Sequence, residues 1–156
     1  MLKQAHIKIS ILLTPKPKAS VRLGKFGAFN PSNRGMKATR EIALQQMNDV
    51  NPLEGPLLVI VHFKIPAALS LPNWKRVKMH TKQHMKKPDA DNLEKFLNDS
   101  LNGVVWKDDA QVSWLIRNKS ITHDTTGSTD VHIISIPDEN LTYKEIFELA
   151  LIYVDD

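Results

Sequence analysis

The chain has 156 residues, 42% of them hydrophobic, and no cysteine. That length and apolar content suit one domain with its own core, and the missing cysteines exclude disulfides and thiolate zinc sites. The net charge of +4 divides unevenly: residues 1–88 hold 16 Lys+Arg and 3 Asp+Glu (net +13), whereas residues 89–156 hold 5 and 14 (net −9). A basic portion joined to clustered acids is the pattern expected where cations hold a polyanion and carboxylates hold a metal ion beside it.

The opening "MLKQAHIKISILLT" has no apolar h-region followed by a small-residue cleavage site, and "GPLLVIVHFKI" is too short and too interrupted to span a bilayer. A cytoplasmic location without membrane partners is expected. Residues 6–13, "HIKISILL", alternate and then run apolar, which predicts a first strand. The following "TPKPKASVRLGKFGAFNPSN" is rich in proline, glycine and basic residues without a helical period, and is predicted as a long basic loop. Residues 36–47 are predicted helical, with Met36, Ile42, Ala43 and Met47 near one face. The near-continuous apolar run at 57–65 predicts a strand buried on both faces.

Residues 71–87, "LPNWKRVKMHTKQHMKK", form a basic, partly helical insertion. Beyond residue 112, "VSWLIRNKSIT" and "VHIISI" are predicted as two antiparallel strands joined by the turn-forming "HDTTGSTD". A C-terminal helical extension over 138–156 contains Thr142 and Glu145 in capping-box spacing and an apolar repeat of Tyr143, Ile146, Phe147, Ala150 and Val154. Four strands and about three helices predict a single α+β domain over 1–156, with a small mixed or antiparallel sheet flanked by helices.

Between these elements lies "KPDADNLEKFLNDSLNGVVWKDDAQV". Pro88 favours an extended approach, so Asp89 and Asp91, if extended, project from one side of the backbone. A helix follows, with Leu93, Phe96, Leu97 and Leu101 as its apolar stripe and Gly103 as its stop. Its rise of about 18 Å is matched by the reach of "VVWKDD", about 20 Å if extended, so Asp108 and Asp109 can fold back toward the helix start, although the spacing does not require it. Gathered carboxylates raise one another's pKa unless a cation joins them, and an oxygen-only donor set points to magnesium or manganese. Lys95 lies on the helical face of Asp91, at i, i+4. Each feature also has an ordinary explanation: Asp91 and Glu94 as N-cap and N3, Asp91 and Lys95 as a surface ion pair, Asp108 and Asp109 as a turn. Asp89 has no such explanation.

This segment resembles the RusA family of Holliday junction resolvases, often phage- or prophage-encoded, whose hallmark is Asp-x-Asp-Asn-Leu-x-Lys followed by Asp-Asp-x-Gln. The preceding order of strand, basic "PKPKASVR" loop, helix and strand is similar over most of residues 1–136. The resemblance implies a homodimer that binds four-way DNA junctions and makes paired symmetric nicks with magnesium or manganese. It places the catalytic carboxylates on Asp89, Asp91 and Asp109, the essential lysine on Lys95, and Asp108 beside Asp109 as a further metal ligand. Which of Asp108 and Asp109 is the principal third carboxylate stays open. The implied mechanism has the metal lower the pKa of a bound water and neutralise transition-state charge, with Lys95 adding an electrostatic contact.

DNA-binding candidates are Lys16, Lys18, Arg22 and Lys25, in a loop with Phe26 and Phe29, and Lys86 and Lys87 at the end of the basic insertion. His80 and His84 have a spacing that chelates zinc or nickel on a helix, but no further ligands lie nearby in sequence. Two alternatives share the same residues: a non-catalytic phage DNA-binding accessory module, and a less selective nuclease acting on flaps or forks.

Overall fold

The computed structural model of the chain describes residues 4–154. Strand β1 (His6–Ile11) is followed by a short hairpin, β2 (Arg22–Gly24) and β3 (Gly27–Phe29), and by helix α1 (Asn33–Met47). Strand β4 (Leu57–Pro66), helix α2 (Asn73–Met79) and helix α3 (Ala90–Leu101) come next. A one-turn 3-10 segment at Asp109–Gln111 leads into β5 (Val112–Thr122), then β6 (Ser128–Ser135) and helix α4 (Tyr143–Val154). The α+β class and the mixed four-stranded sheet expected from the sequence are present, with strand order β1-β6-β4-β5.

β4 is central, antiparallel to β6 and parallel to β5. Its continuous apolar run serves two cores, because side chains alternate across a strand. Leu57, Val59, Val61, Phe63 and Ile65 join Leu93, Leu97, Leu101 and the fully buried Trp106 in the core beneath α1 and α3. Leu58, with Ile60 beside it, faces α4 and packs with Ile134 and Ile146.

β5 and β6 run antiparallel but are not neighbours, since β4 lies between them. Their connection therefore crosses the end of β4 and seats Gly127 against the backbone there. The predicted basic loop contains the β2–β3 hairpin, and α1 begins at Asn33, three residues before the predicted start. α2 stops at Met79, and residues 82–84 run alongside β5 through bonds at Ile121 and Lys119, so His80 and His84 do not share a helical turn. α4 has the expected capping box: Thr142 Oγ1 accepts from Glu145 N–H, and Glu145 Oε2 accepts from Thr142 N–H at 2.7 Å. Its covered stripe is Ile146, Leu149, Ala150 and Tyr153, whereas the predicted members Tyr143, Phe147 and Val154 are exposed. Among the described residues no helix is long and apolar enough to cross a membrane.

The second core carries a pH-sensitive contact. His132 Nδ1 and His6 Nε2 share a hydrogen bond of 3.1 Å, their rings stack, and Tyr153 of α4 packs on His6. Burial, followed by neighbouring positive charge from Lys8 and, for His132, from His6, lowers both histidines below the ordinary imidazole value. A depressed histidine resists protonation in the folded state, so the unfolded chain binds more protons as pH falls and stability declines through the ordinary histidine range near 6.5. Thermal melts should accordingly show Tm decreasing between pH 7.5 and 5.5, with a shallower slope for His132→Gln. An unchanged slope would remove this pair as a cause.

Candidate active site

α3 begins where the extended Asp89, at the N-cap position, meets a helix whose apolar stripe is pinned to β4. The Lys87–Pro88 peptide before it is cis. Asp91 lies inside the first turn rather than at the cap, and Glu94 bonds to Arg117 of β5 instead of closing a capping box. Asp89 thus has a local position of its own, although its side chain makes no capping bond. Its carboxylate instead accepts from Lys87 Nζ at 2.7 Å. That bond holds Asp89 below the ordinary carboxyl range and raises Lys87.

Asp91 and Lys95 are both exposed, one turn apart on the same face, and among the described residues neither forms an ion pair. Asp99, a further turn along, holds Lys18 Nζ at 2.5 Å. Lys18 N–H also donates to Asn92 O, so the basic loop is strapped along α3. Lys18 is therefore engaged by this strap, whereas Lys16, Arg22 and Lys25 are exposed. A cleft of about 660 Å³ opens beside Lys87 and Asp89, with Pro15 and Pro17 of the basic loop on its wall.

Asp108 and Asp109 have different surroundings. Asp108 caps the 3-10 turn: its Oδ1 accepts from Ala110 N–H at 2.9 Å, while Gln111 Oε1 accepts from Asp108 N–H. Gln111 Nε2 donates to Leu53 O and Gly55 O, which fastens the turn to the entrance of β4. The Ala110 bond lowers the Asp108 pKa. Partial burial, then the hydrogen bond and charge of Asp108 and the charge of Asp99, push Asp109 upward.

Asp89 and Asp91 stand at the start of α3, whereas Asp109 feels the charge of Asp99 in the helix's last turn. Lys119 Nζ donates to Pro88 O at 2.7 Å and to Lys86 O at 2.9 Å, which fixes that part of β5 at the helix start. Seven residue steps back along β5, about 23 Å, lie Val112 and the turn bearing Asp109. The connection after α3 is held at the helix C-terminus, where Asn102 N–H bonds to Asn98 O and Trp106 Nε1 bonds to Asn102 Oδ1. Among the described residues Asp109 joins no cluster with Asp89 and Asp91 that could hold an ion within one chain. Lys119 and Arg117, which tie β5 to the start of α3, went unrecognised in the sequence. A long-range partner leaves no local pattern, and only the DDxQ spacing marked Gln111.

Carboxylates backed by a basic, strapped loop define a protein equipped to meet phosphates, as nucleases do. A family model described as Endodeoxyribonuclease RusA matches residues 13–134, and the chain belongs to that family. It is 29% identical over 102 residues to the Uncharacterized protein YqaN of Bacillus subtilis (strain 168), covering 62% of this chain and 72% of the relative. Family membership makes the chain a nuclease, with Holliday junction resolution in recombination as the family activity and branched DNA as the implied substrate.

RusA-type nucleases depend on a divalent metal. The donor chemistry here fits a hard divalent cation, since carboxylates are present and thiolates are not. The donor count in one chain does not fit: among the described residues, no three His, Cys, Asp or Glu side chains stand close enough to hold one ion.

Proposed function

We propose that the chain is a magnesium- or manganese-dependent endodeoxyribonuclease that resolves four-way junctions by paired symmetric nicks. It acts as a homodimer in which Asp89 and Asp91 of one copy share each metal with Asp109 of the partner subunit. The observation that carries this is the separation of the two acidic pairs along α3 in a member of a metal-dependent nuclease family. Two copies related by a two-fold axis can lay the start of one α3 against the Asp109 turn of the other, and the same axis generates two equivalent sites for two equivalent strands.

Asp109 is the ligand in this assignment, because Asp108 Oδ1 is committed to capping the turn. A bound divalent ion would supply a water of lowered pKa and neutralise phosphate charge. Lys95, free on the face of Asp91, would contact the scissile phosphate and stabilise its developing charge. Lys87 balances Asp89 while no cation is bound, and Lys16, Arg22, Lys25 and Lys86 would hold the flanking backbone. The cleft beside Asp89 would take the strand to be cut.

An end-labelled four-way junction, compared with a linear duplex and a flap of the same sequence, with magnesium and with EDTA, tests the activity. Symmetric, magnesium-dependent nicks in the junction alone are expected. Equal cutting of the flap would indicate a less selective nuclease, and binding without nicks under any divalent ion would return the chain to an accessory DNA-binding role.

A further inference from the structure

The β2–β3 hairpin stands away from the body of the protein. Its neck is closed where Ala19 N–H donates to Ser32 Oγ at 2.8 Å, next to the Lys18 strap on α3. Every residue of both strands is exposed, Leu23 at 89%, and the two-residue turn between Gly24 and Gly27 presents Lys25 and Phe26 at the tip. Phe29 has a role inside the hairpin: its ring lies over Gly24, where a Cβ would meet it at 3.1 Å. Phe26 covers nothing and is 97% exposed, with Lys25 Nζ 5.8 Å from its ring centroid.

An aromatic ring held in water at the end of a hairpin, with Lys25 beside it and Arg22 at the hairpin base, suits a partner with flat apolar faces and negative charge. Nucleobases on a phosphate backbone have both properties. In paired duplex the base faces are covered by their neighbours, whereas at a branch point the stack is interrupted. Eight residues separate Phe26 from Lys18, at most about 28 Å of chain. The tip therefore stays within about eight base steps of ~3.4 Å from a strand lying on α3.

We propose that Phe26 is a wedge that stacks on an unpaired base at the branch point, making the hairpin a reader of junction structure. This rests on the nuclease reading above and assigns to that site a means of selecting its substrate. The test uses a four-way junction carrying 2-aminopurine at the branch point, bound in EDTA so that nothing is cut. Binding of the full chain should raise the fluorescence, Phe26→Tyr should retain the rise, and Phe26→Ala should lose it. Phe26→Ala should also weaken junction affinity about tenfold while leaving duplex affinity unchanged.

Equal fluorescence and affinity for Phe26→Ala and the wild type, with junction preference and cleavage intact, would overturn the wedge alone. Absence of junction preference in the wild-type chain would overturn the junction-resolving reading, leaving a less selective nuclease, and the wedge with it. A dimer that dissociates in Phe26→Ala by light scattering would make the tip a contact between copies and also overturn the wedge.

Discussion

Asp91→Asn and Asp109→Asn should each abolish junction cleavage while leaving junction binding intact or tighter. Loss of an outer-shell partner already costs a metal site about 10–100-fold, and a direct ligand should cost more. Binding survives because Asp91 and Asp109 contribute negative charge to a surface that must approach phosphates, so neutralising either one removes repulsion. Asp108→Asn should behave differently. It weakens a turn that Gln111 still fastens to Leu53 and Gly55, so a modest drop in Tm and retained nicking are expected. Undiminished cleavage by Asp91→Asn would remove that residue from the mechanism, and inactivity of Asp108→Asn with active Asp109→Asn would exchange the roles of the pair.

The largest effect on stability should come from Gly127→Ala, in the connection that crosses the end of β4. An added Cβ would lie 2.3 Å from Lys64 O and 2.9 Å from carbons of both Pro15 and Pro66. No rotamer relieves a contact made by Cβ itself, and the nearest atom belongs to a central strand. Overpacking of this kind costs typically about 1–3 kcal/mol, and a clash with backbone falls at the upper end. That corresponds to a Tm lower by about 6–12 °C. Thr126→Ala, one residue earlier and exposed, should melt near the wild type. Equal melting of Gly127→Ala would mean that the connection passes β4 less closely.

The elements with strong periodicity were legible in the sequence. β1, β4, α3 and the capped start of α4 follow from alternation, apolar runs and the Thr142–Glu145 spacing. The order of strands was not, because inserting β4 between β5 and β6 is a long-range choice that no local pattern encodes. The β2–β3 hairpin escaped notice because three-residue strands exposed on both faces show no alternation; its available signal was the two-residue gap between Gly24 and Gly27.

At the site, Asp89, Asp91, Lys95 and the Asp-Asp-x-Gln turn were visible as a motif. Their separation was not, because sequence spacing bounds how far apart two groups can lie without fixing how close they come. Lys18 shows the same limit. Its basic neighbourhood suggested phosphate contact, while its partner Asp99 lies far along the chain.

Co-expression of Asp91→Asn with Asp109→Asn, each chain carrying a different tag so that mixed dimers can be isolated, tests the shared site most directly. In a mixed dimer one site loses both carboxylates and the other keeps Asp89, Asp91 and Asp109 intact. Mixed dimers should therefore recover single-strand nicking of the junction and bind one manganese site per dimer by titration calorimetry, while each parent dimer cuts nothing and binds none at that affinity. Mixed dimers as inactive and as empty of manganese as their parents would contradict the sharing and place all three carboxylates of each site in one chain.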